Sequence, residues 1–76
     1  MKLDSAVALG KEGSWREAQI RLDPQNRTLW FVMLRDAHNK SFILADNDDN
    51  PITSDNLNNL ADLIKSVGLK EFIAFL

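Results

Sequence analysis

The strongest pattern in the chain is the series Leu57, Leu60, Ala61, Ile64 and Val67, spaced i, i+3, i+4, i+7 and i+10. That spacing puts five apolar side chains on one side of an α-helix. Thr53 or Ser54 is the expected N-cap, Asp55 falls in the first turn, Lys65 lies near the last, and Gly68 ends the element. Leu3, Ala6 and Val7 predict a shorter helix over 4–11, capped by Asp4 or Ser5 and stopped by Gly10.

Between these helices the period changes to two. Ala18, Ile20 and Leu22 alternate with Glu17, Gln19 and Arg21, as in a half-buried strand over Trp15–Leu22. Asp23-Pro24-Gln25-Asn26 is a turn, because proline pre-sets φ and Asp or Asn bonds to nearby amides. Thr28 to Arg35 is apolar on both parities, with Leu29, Phe31 and Met33 on one side and Trp30, Val32 and Leu34 on the other. Such a strand is expected to be central and covered on both faces. Asp36-Ala37-His38-Asn39 forms the next turn, with Asn39 suited to the left-handed region. Ser41 to Ala45 is a third strand. Connections this short permit only an antiparallel meander.

The tail Leu69–Leu76 fits either a helix or a strand; aromatic and β-branched content after a helix-ending glycine favours a strand over 71–75. The expected fold is therefore α+β, one domain over 1–76. It has a three-stranded antiparallel meander, a short N-terminal helix, one amphipathic helix packed on the sheet, and a C-terminal strand or short helix.

Seventy-six residues suit a single small domain with a thin stability margin. The absence of cysteine and the single histidine, His38, exclude a disulfide framework and a multi-histidine or cysteine metal centre. No metal or cofactor is expected. With neither a signal-like segment nor a long apolar run, the expected location is the cytoplasm and no membrane partner is foreseen. Net charge is −2, but unevenly spread. Residues 1–40 carry seven Lys/Arg and five Asp/Glu, whereas residues 41–64 carry five Asp and no base.

Catalytic patterns do not survive inspection. Asp46, Asp48 and Asn50 match the start of a calcium loop, but Pro51 replaces the required glycine and Leu57 the bidentate glutamate. His38 near Asp36 has no second histidine, no serine lies in a nucleophile-elbow context, and Gly10-Lys11-Glu12-Gly13 has the wrong order for a phosphate loop. The chain is read as a non-enzyme.

Three surfaces remain. Asp46, Asp48 and Asp49 with Asp55, Asn59 and Asp62 offer an acidic loop and helix face for a basic protein partner, the arrangement of a small inhibitor or regulatory module. Arg16, Arg21, Arg27, Arg35 and Lys40, with Trp15 among them, offer a basic meander for nucleic acid, the alternative reading. The α-β-β-β-α order resembles that of double-stranded-RNA-binding domains. Those domains place a basic cluster at the start of their second helix, whereas this helix opens with Thr53-Ser54-Asp55-Asn56. Third, one helix of this length cannot cover both faces of so apolar a sheet. Leu29, Phe31, Met33, Ile43, Ala45, Ile73 and Phe75 share the second parity and need either the first helix or a partner. Phe72, Ile73 and Phe75, unguarded by charge or proline after Glu71, predict either a homodimer through the tail or a tail buried in the domain.

Overall fold

The computed structural model describes residues 1–75; Leu76, the last residue of the expected tail segment, lies outside them. The elements in chain order are α1 (Leu3–Lys11), β1 (Trp15–Leu22), β2 (Trp30–Asp36), β3 (Ser41–Ile43), β4 (Thr53–Ser54), α2 (Leu57–Ser66) and β5 (Ile73–Phe75). This is the expected α+β architecture, with β1, β2 and β3 forming the antiparallel meander and the tail a strand.

The sheet order is β3-β2-β1-β5. β5 runs parallel to β1, pairing Gln19 with Ile73 and Arg21 with Phe75. The far edge of β2 is shared: β3 pairs with Met33–Arg35 and β4 with Trp30–Phe31. The N-terminus meets the end of β3, where the Met1 amino group donates to the Ile43 carbonyl at 3.1 Å and the Ala45 amide to the Met1 carbonyl at 2.8 Å.

Both helices lie against the same face. Ala6 of α1, Leu60 and Ile64 of α2 and Val67 at its C-cap meet Ala18, Ile20, Val32 and Leu34 from the strands and Leu44 just past β3, all of them buried. Trp15 closes this core at 5 % exposure, its indole N–H donating to the Ala6 carbonyl at 2.9 Å and its ring set edge-on to Phe42. The expectation that β2 would be covered on both faces is corrected: it is central, but no helix lies over Phe31 and Met33. The cause is β1, which brings Glu17, Gln19 and Arg21 to that second face beside them, and a dry core cannot take that row.

Several local expectations change. Gly10 does not stop α1. It lies inside the helix, where an added Cβ would sit 2.0 Å from the Val67 carbonyl oxygen, so glycine is what lets α1 touch the C-terminal end of α2. Helix termination belongs to Gly13 and Gly68, at φ 74° and 93°. Gly13 and Ser14 amides bond to Gly10 and Leu9 carbonyls, and Gly68 and Leu69 amides to Lys65 and Ile64, the same paired Schellman closure on both helices. Neither Asp4 nor Ser5 caps α1; the N-cap is Lys2, and Asn47 Oδ1 accepts from the Asp4 amide at 3.4 Å from across the fold. Thr53 and Ser54 pair with β2 as β4, so the cap of α2 is Asn56, accepting from the Asn58 amide at 2.9 Å, and Asp55 precedes the helix. Ala45 is buried at 4 %, held between Lys2 and Pro51 past the end of β3, and leaves the second-parity set.

Candidate functional site: the helix-free face of the sheet

Alternation along the strands fixes which side chains share the open face. Cross-strand pairing arranges them in three rows. The middle row is Ile43, Met33, Gln19 and Ile73. On one side of it lies Thr53, Phe31, Arg21 and Phe75; on the other lies Ser41, Arg35 and Glu17. Ile43, Ile73 and Phe75 are 43 %, 48 % and 41 % exposed, and Phe31 and Met33 are half-buried. The expected burial of the tail inside the domain is therefore corrected: β5 is fully paired to β1 yet keeps all three of its residues exposed. No element follows that could cover it among the described residues. Phe31 stands between two shallow hollows, one of about 320 Å³ toward Ile43 and Pro51, the other of about 390 Å³ toward Arg21 and Phe75.

The polar row on β1 is tied together. Arg21 Nε donates to Gln19 Oε1 at 2.9 Å, Gln19 Nε2 donates to Glu17 Oε2 at 2.8 Å, and Arg35 Nε donates to the same Glu17 oxygen at 3.2 Å. The Gln19 amide, and then the Arg35 guanidinium, hold the Glu17 carboxyl below the ordinary glutamate range. The Arg21 guanidinium lies 4.3 Å over the Phe75 ring, a cation–π contact.

This arrangement changes the standing of the basic residues. Arg21 and Arg35 point to the open face but are engaged by Phe75, Gln19 and Glu17. Arg16 occupies the irregularity at the start of β1 and bonds to the Gly13 carbonyl at 2.8 Å. Arg27 sits in the β1–β2 turn and Lys40 in the β2–β3 turn, at opposite ends of the sheet, so the five bases form no single stripe. Trp15 is a core residue and presents no ring for stacking. The first turn of α2, Leu57-Asn58-Asn59-Leu60, contains no base either, extending the departure from the RNA-binding pattern.

The acidic residues divide in two. Asp46 is a turn residue, its Oδ1 accepting from the Asp48 and Asn50 amides at 2.9 and 3.0 Å. The β2–β3 turn repeats this geometry: Asp36 Oδ1 accepts from the His38 and Lys40 amides at 2.9 and 3.0 Å. Asn39 and Asp49 take the corresponding left-handed position, at φ 62° and 68°. Donation by the Lys40 amide, and secondarily by that of His38, lowers the Asp36 carboxyl below its ordinary range. Asp36 thus serves its own loop and not the His38 ring. Asp48, Asp49, Asp55, Asn59 and Asp62 are exposed; the loop's long-range hydrogen bond goes to the start of α1, and Asn59 bonds back to Ser54.

Comparison with family models, with curated proteins and with solved structures returned no match to this chain. Among the described residues, no helix is long and apolar enough to cross a membrane. Sequence reasoning assembles the open face's apolar members but misplaces two: Ala45, and Leu29, which lies in the β1–β2 turn ahead of β2. It missed the Glu17–Gln19–Arg21 row as part of the same surface. The signal was present in the period-2 alternation of β1, which assigns those three residues to one face.

Proposed function

We propose that this protein is a non-catalytic protein-interaction module that binds through the helix-free face of its sheet. One observation carries the reading: Phe31, Met33, Ile43, Ile73 and Phe75 lie on a single face of one sheet, and both helices pack on the other. Apolar side chains grouped on an exposed surface mark association sites. The geometry favours this face over the acidic loop and helix, because Asp46 is already committed to its own turn. It also favours protein over nucleic acid, because Trp15 is buried and Arg27 and Lys40 lie at opposite ends of the sheet, so the bases form no single stripe.

Affinity capture from the native host, read by mass spectrometry, tests the choice. Ile43→Asp with Ile73→Asp should remove captured protein while the far-ultraviolet spectrum is unchanged. Loss of capture instead on Asp55→Lys with Asp62→Lys would move the site to the acidic surface of a regulatory module for a basic partner. Salt-sensitive binding of nucleic acid, reduced by Arg21→Ala with Arg35→Ala, would move it to the basic meander.

A further inference from the structure

We infer that the occupant of the helix-free face is a second copy of this chain, docked sheet to sheet about a two-fold axis that runs across the strands along the row Ile43, Met33, Gln19 and Ile73. The inference rests on that face being the binding surface, and it adds what binds there. A two-fold interface requires a surface complementary to itself. Along β1 the open face reads Glu17, Gln19, Arg21: acidic, neutral and basic at successive outward positions. Turned about an axis through Gln19, that series lies antiparallel on its own copy, with each Glu17 over the other copy's Arg21. On β2 the same rotation sets each Phe31 over the other copy's Arg35, a second cation–π pairing. Ile43, Met33 and Ile73 lie on the axis and meet their own counterparts. The charged residues thus oppose unlike or aromatic partners, while the apolar residues of the axis meet apolar ones.

The size of the face sets the strength. Strands of eight, seven, three, two and three residues, about 4.8 Å apart at about 3.4 Å per residue, give roughly 375 Å² in projection and roughly 500 Å² of accessible surface per copy. Stable interfaces bury about 800 Å² per partner, so the dimer belongs among the weaker ones, with a dissociation constant on the order of 1–100 µM.

Sedimentation equilibrium of the full chain, from about 1 µM to about 1 mM, should show a monomer passing to a dimer through that range. Arg21→Glu alone and Glu17→Arg alone should each be monomeric throughout, because each opposes like charges across the axis. Mixed in equal amounts, the two variants should form a heterodimer, since one copy then carries two acids opposite the other's two bases. Should either variant lose its folded spectrum, Gln19→Lys replaces it. It sets two lysines against each other on the axis and should also abolish the dimer. A monomeric wild type at 1 mM overturns the inference, as does a dimer that survives the single substitutions, or a mixture that stays monomeric. A monomeric wild type whose capture of another protein still depends on Ile43 and Ile73 would overturn the second copy alone. One with no dependence on them would overturn the binding face as well.

Discussion

The two faces of the sheet are built from the same strands, often from adjacent residues, yet one is dry and the other open. On the covered face every strand of the meander contributes apolar side chains: Ala18 and Ile20, Val32 and Leu34, Phe42 followed by Leu44. On the other, β2 is as apolar, with Phe31 and Met33, but its neighbour β1 offers Glu17, Gln19 and Arg21. Two helices were available and both went to the first face. A strand apolar on both parities therefore does not establish that both faces are covered. The neighbour in register with it decides, because burying the polar row of β1 costs more than leaving that face's five apolar side chains partly exposed.

The contrast is sharpest in truncations. Leu60→Ala and Ile64→Ala should each destabilise by about 2–5 kcal/mol, the range for buried aliphatic residues, and in a domain this small either can unfold the chain. Urea midpoints check this; wild-type midpoints for both would remove α2 from the covered face.

Next in size is the contact that brings α1 and α2 together on that face. Glycine to alanine in a helix interior normally gains about 1 kcal/mol. At Gly10 the new Cβ would meet the Val67 carbonyl at 2.0 Å, a clash of backbone with side chain that no rotamer relieves. Gly10→Ala should therefore destabilise by about 1–3 kcal/mol, the cost of overpacking. Thermal melts compared with Gly13→Ala separate the causes. Gly13 has nothing within 4 Å and should cost only about 1 kcal/mol, for its positive φ.

Open-face substitutions should be milder. Ile43→Ser and Ile73→Ser, measured at about 1 µM, should each shift stability by less than about 1 kcal/mol, because both residues are nearly half-exposed. A loss comparable with that of Leu60→Ala would erase the distinction between the faces.

The smallest effect is on pH. Glu17 and Asp36 both have folded-state pKa values below their ordinary range. The unfolded chain then binds more protons on acidification, so their contribution is present above about pH 4.5 and is lost as pH falls through the folded values. Glu17→Gln with Asp36→Asn should flatten the acid limb of a melting-temperature profile. An unchanged limb would show that these two carboxylates do not carry it.

Local chemistry was legible in the sequence wherever a residue type serves only its near neighbours. The leucine stripe of α2, the alternation of β1, the Pro24 turn and the ending of α2 at Gly68 all follow from spacing or from intrinsic φ preference. The open face was partly legible too, since parity alone groups Phe31 with Met33 and Ile73 with Phe75. Three decisions needed the tertiary structure. Gly10 resembles a stop signal until Val67 is placed beside it. Thr53 and Ser54 resemble helix caps until the free half of β2's edge claims them as β4. Both helices fall on one face because packing compares whole rows of neighbouring strands, a comparison that no single strand's periodicity contains. Sequence by itself determined the two helices, the three strands of the meander and which side chains each of those strands presents together, since backbone geometry imposes those periods locally. Only the tertiary structure decided which of the two faces would be covered, because that choice depends on pairings between residues far apart in the chain.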